Sequence, residues 1–346
     1  MKLRAFALSV LLLVASGFAQ AAGEIVIKFS HVVAPDTPKG RAAEKFKQLA
    51  EEKTKGRVKV EVYPNSQLYK DREELEALQL GSVQMLAPSL SKFGPMGARE
   101  FEVFDLPYLF PNDTVLHRVM DGAVGNKLFA KLDTKGVTGL AFWDNGFKQM
   151  SANRPLRSMT DFKGLKMRIQ SSKVLDAQMK TLGAIPQVMA FSEVYSALQQ
   201  GVVDGTENPV SNFYTQKMHE VQKHLTLSNH GYLGYAVVTN KKFWDGLPAD
   251  IRTALTAAMQ EATVYERDIA QKENDEALEK VRAAKTTEIY VLPESEKAAW
   301  RKALLPMQAD AESFIGKDII QSVNDVAAQV EKEQAPQPKP ANKKKK

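Results

Sequence analysis

Apolar residues in the first third of the chain alternate with polar residues in some segments and recur at helical spacing in others. Alternation predicts strands over residues 25–33, 58–63 and 83–88, whereas helical spacing predicts helices over 38–55 and 72–80. The resulting β-α-β-α-β order is typical of a lobe in which helices cover a mainly parallel sheet. We therefore expect an α/β fold.

A second β/α segment follows a predicted helix at 113–132 and two apolar strands at 137–143 and 147–151. Its predicted elements are a strand at 165–170, a helix at 172–182, a strand at 185–189, a helix at 192–200 and a strand at 202–206. Strands near residue 225 and at 233–239 are expected to cross back to the first lobe. The pattern thus indicates two β/α lobes.

The last third of the chain is predicted to be helical. Residues 248–284 contain no proline or glycine after the start, and the segment is about three times the mean helix length. We expect this helix to brace both lobes; the alternative is two helices that meet at a kink. Further helices are predicted at 293–315 and 319–332. The expected domains are a signal peptide at 1–21, lobe I at 22–145, lobe II at 146–240, bracing and C-terminal helices at 241–332 and a tail at 333–346.

The N-terminus carries the features of a secretory signal. Lys2 and Arg4 precede an apolar stretch, and Ala19-Gln20-Ala21 fits the small-x-small cleavage rule. Residues 1–21 are therefore predicted to be a cleaved signal peptide. Later stretches fall short of the ~20 apolar residues that a membrane span needs, so we expect a chain that does not span the membrane. The sequence contains no cysteine, which excludes disulfides and thiolate metal sites.

The positive net charge of +6 comes from the two ends of the chain. Lys2, Arg4, Lys339 and the four lysines at 343–346 contribute seven positive charges, so the remainder carries a net charge of −1. A near-neutral body argues against nucleic-acid binding. The tail at 333–346 alternates proline with polar residues before its lysines, which predicts disorder. A weak electrostatic tether to anionic lipid is the alternative for this tail.

A candidate anion site lies between residues 164 and 209. Lys166, Arg168 and Gln170 alternate with apolar residues and share one face of a predicted strand. The planar, permanently charged guanidinium of Arg168 matches a carboxylate in a bidentate pair. The alternative is that this face simply meets water.

Seven segments of the chain resemble the periplasmic solute-binding proteins of tripartite ATP-independent periplasmic (TRAP) transporters, in the C4-dicarboxylate-binding branch. These segments are FSHVVAPDTPKGRAAEKF, APSLSKFGP, DLPYLF, FWDNGFKQM, FKGLKMRIQSS, AFSEVYSALQQGVVDGTENP and SNHGYLGY. The resemblance covers residues 24–332. It implies a periplasmic protein with a two-lobed α/β fold, a hinged cleft and a long helix across both lobes. It also implies capture of succinate, malate or fumarate and delivery to TRAP membrane subunits.

The resemblance also implies which residues bind the ligand. An arginine at the position of Arg168 salt-bridges a substrate carboxylate in the family, and Asn208 matches a position that helps to hold it. The further ligand-binding candidates are Lys148, Ser89, Lys92, Phe191, Phe147, Lys39, His31 and His230. The alternatives are core packing for the two phenylalanines, a hydrogen-bonded loop position for the histidines and a solvated position for Lys39.

Other functions stay open from the sequence. The same transport role with a monocarboxylate, keto acid or sugar acid becomes preferable if Lys39, Lys92 and Lys148 all point away from the cleft. A sensory role with a membrane receptor would use the same site. A periplasmic enzyme is a distant alternative, because the sequence has no GxSxG or HExxH motif and no cysteine nucleophile. We expect no catalytic residue, no cofactor and no metal site.

Overall fold

A computed structural model describes residues 24–335, whose nine strands form one mixed sheet. The strands are β1 (Ile25–Ser30), β2 (Val58–Tyr63), β3 (Met85–Leu86), β4 (Val137–Ala152), β5 (Lys166–Ile169), β6 (Ile185–Val188), β7 (Gly205–Asn208), β8 (His224–Asn240) and β9 (Glu288–Val291). Their order across the sheet is β2-β1-β3-β8-β4-β7-β5-β6, and β9 pairs with β8. The predicted α/β class is therefore confirmed.

Helices cover the sheet between these strands. The α-helices are Pro38–Lys53, Glu74–Gln79, Asp113–Asp121, Ala123–Asp133, Lys173–Thr181, Val194–Gln199, Val210–Thr215, Met218–Val221, Lys241–Asp245, Ala249–Ala284, Glu294–Leu304, Met307–Ile315 and Lys317–Gln334. Short 3-10 helices are Leu90–Lys92, Arg99–Asp105, Met159–Phe162 and Phe191–Glu193.

The long strands β4 and β8 join the two β/α units. They pair antiparallel from Val137 opposite Asn240 to Ala152 opposite His224. On one side of this pair, β8 is followed in the sheet by β3, β1 and β2. On the other side, β4 is followed by β7, β5 and β6. The sequence predicted separate short strands in this region and not one long β4. The reason is that the register between β4 and β8 shifts three times, once across Gly146, whose φ is +134°. The expected lobe boundary at 145/146 falls inside β4.

The long helix Ala249–Ala284 is continuous, which confirms the uninterrupted helix rather than a kinked pair. It packs against helix Pro38–Lys53, against β4 and against helix Val210–Thr215. Since the first of these helices follows β1 and the last follows β7, the long helix contacts both units.

Two predicted helices are each divided in the structure. The helix expected at 113–132 ends at Asp121 and restarts at Ala123, because Gly122 is extended and packs close to the Arg118 carbonyl. The helix expected at 293–315 breaks at Pro306, which has no N–H to continue it. Strand β9 was not predicted, because its four edge residues show no alternation of buried and exposed positions.

The expected signal peptide and most of the expected tail lie outside the described residues. Helix Lys317–Gln334 extends into the first two residues of the segment expected to be disordered. Within the described part of the chain, no helix combines the length and apolarity needed to cross a bilayer.

Gly205 allows β7 to fit between its neighbours. A Cβ atom at this position would lie 2.3 Å from the Ser151 carbonyl oxygen on β4 and 2.7 Å from the Met167 Sδ on β5. Because β7 also carries Asn208, the space at Gly205 sets where that side chain lies.

We predict that Gly205→Ala lowers the free energy of unfolding by about 1–3 kcal/mol, since the methyl group would force two strands apart. Urea denaturation measures this change. Gly231→Ala on β8 is the matched control, because its nearest atom, Lys148 Cδ, would lie at 3.7 Å, an ordinary contact. Equal stability of the two variants would contradict the packing argument.

Candidate functional site

Arg168 is the most completely positioned of the predicted site residues. It lies on β5, opposite Gln187 of β6 and Thr206 of β7, and is 2% exposed. Its Nε and Nη2 atoms donate to the Met189 carbonyl oxygen at 3.1 and 2.9 Å. The guanidinium carbon lies 5.7 Å from the centroid of the Phe191 ring. These contacts orient the buried, charged guanidinium. Its Nη1 atom donates no hydrogen bond to any of the described residues.

A small cavity lies in front of Arg168, and we call it the inner cavity. Six of the ten predicted site residues line it: Lys39, Ser89, Lys92, Arg168, Phe191 and Asn208. The other lining residues are Val32, Val33, Asp71, Gln170, Asn212, Leu233 and Tyr235. The fold therefore brings side chains from both β/α units to one cavity.

Lys39 is a buried cation without a directly bound carboxylate among the described residues. Its Nζ donates to the Ala87 carbonyl oxygen at 2.9 Å and lies 3.8 Å from the centroid of the Tyr235 ring. Burial, together with the nearby Lys92 ammonium, lowers the pKa of Lys39 to about 7. An anion in the inner cavity would stabilise its charged form.

Lys92 differs from Lys39, because two carboxylates bind it. Its Nζ forms ion pairs with Asp71 and, at 2.9 Å, with Glu74 Oε1. Burial alone would lower the pKa of Lys92, but these two carboxylates raise it above its ordinary value. Its charge therefore persists, although much of it is neutralised locally.

Asp71 places a negative charge at the outer edge of the inner cavity. Burial alone would raise its pKa, but Lys92 and Arg168 lower the pKa to about 2. The Phe191 N–H donates to Asp71 Oδ2 at 2.5 Å, which ties the two β/α units together. Asp71, Lys92, Arg168 and Gln170 also line a larger cavity, of about 380 Å³, next to the inner one.

Lys148 and His230 lie away from the inner cavity and bind the same carboxylate. Lys148 Nζ is 2.8 Å from Glu207 Oε1 and 3.8 Å from Asp105 Oδ1. His230 Nε2 is 2.8 Å from Glu207 Oε2, and its Nδ1 is 2.8 Å from Ser228 Oγ. Burial opposes ionisation of Glu207, but Lys148 and His230 hold its pKa far below the ordinary value. The polar atoms of both candidates are therefore engaged within the protein.

Phe147 and His31 also lie outside the lining of the inner cavity. The Phe147 ring packs edge-on against Tyr232, with centroids 6.0 Å apart, beside the larger apolar core. His31 is fully buried, and neither ring nitrogen has a hydrogen-bond partner among the described residues. Burial and the nearby Lys39 lower the pKa of His31 to about 3, so the ring is neutral.

Four polar residues of the inner cavity were not predicted: Asp71, Gln170, Asn212 and Tyr235. Gln170 shares the strand face of Arg168, and Tyr235 belongs to the SNHGYLGY segment, so the sequence held a signal for both. Gln170 Nε2 donates to Ser89 Oγ at 2.6 Å and so joins two sides of the cavity. Asp71 and Asn212 had no comparable local signal.

No group of three or more histidine, aspartate or glutamate side chains in residues 24–335 is arranged to hold a metal ion. The inner cavity instead combines three cationic side chains with one carboxylate, that of Asp71, and with neutral hydrogen-bonding groups. This arrangement suits a small organic anion.

Comparison with known proteins gives consistent matches along the chain. Residues 29–313 match the family described as "Bacterial extracellular solute-binding protein, family 7". The C4-dicarboxylate-binding periplasmic protein DctP of Rhodobacter capsulatus is 65% identical over 88% of this chain and 92% of its own length.

Solved structures of solute-binding proteins also match most of the chain. A TRAP periplasmic solute-binding protein from Sulfurospirillum deleyianum with bound succinate is 48% identical, with a TM-score of 0.85 over 88% of this chain and 99% of the other. One from Pseudomonas aeruginosa with bound L-malate is 45% identical, with a TM-score of 0.81 over 83% of this chain and 99% of the other. These matches confirm the resemblance drawn from the seven segments and the two-lobed fold. The chain belongs to bacterial extracellular solute-binding protein family 7, a family of binding proteins and not of enzymes.

Proposed function

We propose that the chain captures a C4-dicarboxylate in the inner cavity and delivers it to the membrane subunits of a TRAP transporter. The 65% identical relative is named for C4-dicarboxylate binding, and the two solved structures hold succinate and L-malate. The observation that carries the proposal is the convergence of Arg168, Lys39 and Lys92 on one cavity.

The number of cations favours a diacid over a monocarboxylate, keto acid or sugar acid. Arg168 and Asn208 would hold one carboxylate, and Lys39, Lys92 and Ser89 would hold the other. A single carboxylate would leave one of these groups of donors without its anion, which is costly in a buried site. Lys148 is not counted because it does not line the inner cavity. Lys92 lines it, but Asp71 and Glu74 already neutralise much of its charge, so Lys39 is the main cation for the second carboxylate.

Tight binding of so small a ligand requires enclosure. A micromolar dissociation constant corresponds to about −8.2 kcal/mol, or ~1 kcal/mol from each heavy atom of a C4-dicarboxylate, close to the ceiling for tiny ligands. Contacts across the cleft support such enclosure, since Asp71 binds the Phe191 N–H and Lys70 Nζ lies 2.9 Å from Glu193 Oε1. We propose that hinged lobes at 22–145 and 146–240, braced by 241–332, close over the ligand.

Export completes the proposed role. Residues 1–21 are proposed to direct the chain to the periplasm and to be removed there, as the sequence pattern predicts. Relatives named as periplasmic proteins support this location.

We predict that succinate, malate and fumarate raise the melting temperature of the protein, whereas monocarboxylates such as acetate and propionate do not. A ligand at a hundred times its dissociation constant stabilises the folded state by about 2.7 kcal/mol. A thermal-shift panel at fixed pH and salt measures the effect. Stabilisation by monocarboxylates or sugar acids alone would contradict the proposal.

Arg168→Ala is predicted to weaken C4-dicarboxylate binding on the order of 100-fold, because a desolvated carboxylate would lose its charged partner. The affinity of Arg168→Lys should lie between those of Arg168→Ala and the wild type, since lysine keeps the charge but lacks the planar guanidinium. Isothermal titration calorimetry measures the affinities.

The control for Arg168 is Arg157→Ala. Arg157 is an exposed arginine whose Nη2 lies 3.3 Å from Glu288 Oε1, so its removal should leave binding unchanged. Wild-type affinity in Arg168→Ala would rule out the proposed carboxylate contact.

Ligand binding is predicted to take up a proton at pH 8. Lys39 has a pKa of about 7 in the free protein, near His31, Lys92, Asp71, Glu74 and Glu266. A bound carboxylate would raise this pKa. Below pH 7, Lys39 is therefore charged in both the free and the ligand-bound protein, whereas above pH 7 it gains a proton when the ligand binds. Affinity should therefore fall as the pH rises beyond 7, by up to about tenfold per pH unit.

Calorimetry at pH 8 in buffers of different ionisation enthalpy measures the proton uptake. Lys39→Met should abolish it and bind more weakly at pH 6. Proton uptake in the variant equal to that of the wild type would assign the effect to another group.

A further inference from the structure

Two neutral polar side chains at the inner cavity each keep an unmet hydrogen-bonding capacity. The Asn212 side chain hydrogen-bonds to the Tyr235 phenol, but the buried Asn212 Oδ1 atom has no donor and the buried Tyr235 hydroxyl has no acceptor within residues 24–335. Each of the two residues is only 2% exposed. Buried polar atoms are almost always paired, so two with unmet capacity on a single cavity indicate that a bound molecule completes them.

The fold holds Tyr235 in place. It lies on β8 opposite Trp143 of β4, and its backbone bridges to Ser89. Lys39 Nζ lies 3.8 Å from the centroid of its ring and restrains the ring from one side. Burial raises the pKa of the Tyr235 phenol, so the hydroxyl is protonated and able to donate.

Asn212 reaches the cavity from the opposite β/α unit. It lies on helix Val210–Thr215, directly after β7 and Asn208. Its side chain hydrogen-bonds to the Tyr235 phenol, and its Oδ1 atom has no donor among the described residues. The two residues therefore come together only in the folded, two-lobed protein.

The chemistry of this pair differs from that of the carboxylate-binding groups. A carboxylate only accepts hydrogen bonds, so it cannot satisfy the Asn212 Oδ1 atom, and a methylene group satisfies neither residue. A hydroxyl group can accept from the Tyr235 phenol and donate to the Asn212 oxygen at the same time. The cations of the cavity remain available for the two ends of a dicarboxylate.

We infer that Tyr235 and Asn212 form a hydroxyl subsite, which makes the protein prefer a 2-hydroxy C4-dicarboxylate such as malate to succinate. The inference rests on the proposed function, because it assumes that a C4-dicarboxylate occupies the inner cavity. It adds a preference within that class and two residues that determine it. A hydroxyl at one fixed place also implies that the site distinguishes the two enantiomers of malate.

The test is calorimetry of wild type, Tyr235→Phe and Asn212→Ala with L-malate, D-malate and succinate. In each variant we expect affinity for the better-bound malate enantiomer to fall about 2- to 12-fold, as expected for the loss of one hydrogen bond to a neutral group. Succinate affinity should change less than about twofold. The ratio between enantiomers should move toward one, and this ratio does not depend on the fraction of folded protein.

Tyr232→Phe is the matched control. Tyr232 lies on the same strand, but its hydroxyl donates to Asp144 Oδ1 at 2.5 Å, outside the inner cavity. This variant should change stability and leave the malate-to-succinate ratio as in the wild type.

Two outcomes would overturn the subsite while leaving the proposed function standing. Equal losses of malate and succinate affinity in Tyr235→Phe would mean that the phenol binds a carboxylate. Unchanged affinity for both acids would mean that the phenol binds neither. A wild type that binds no dicarboxylate at all would instead overturn the proposed function, and the subsite with it.

Discussion

The antiparallel pairing of β4 with β8 is the constraint on which the rest of the structure depends. The pair runs from Val137 opposite Asn240 to Ala152 opposite His224 and carries one half of the sheet on each side. Each β/α unit contributes only part of the inner cavity, so the site exists only because these two strands place the units side by side. The register between β4 and β8 shifts three times along the pair, and the long helix packs against β4.

The inner cavity concentrates buried positive charge, and the protein distributes that charge unevenly. Lys92 is paired with carboxylates within hydrogen-bond distance, as is Lys148 outside the cavity lining, so the desolvation of both lysines is compensated without a ligand. Arg168 and Lys39 instead contact backbone carbonyls and aromatic rings. These weaker partners leave most of their charge for a bound anion. Burial and the nearby Lys92 ammonium account for the low pKa of Lys39.

Neutral groups can distinguish ligands that carry the same charge. Two carboxylates and an aliphatic link are common to succinate, malate and fumarate, so the cations alone cannot separate these acids. Groups such as Tyr235 and Asn212, which need both a donor and an acceptor, can do so because an unmet hydrogen bond in a buried site is costly. Selectivity among similar acids would thus come from the uncharged part of the cavity, while the charged part sets the class of ligand.

The sequence by itself determined the local elements and the central residue of the site. Periodicity located the long helix and the strand of Arg168, because both signals lie within one continuous segment of the chain. The seven segments indicated the family and with it Asn208. Tertiary structure alone decided which lysines line the inner cavity, since the carboxylate that binds Lys148 lies 59 residues away along the chain. It also decided the positions of Asp71 and Asn212 at the cavity. Such pairings are formed when distant strands meet in one sheet, and the order of residues within a strand does not encode them.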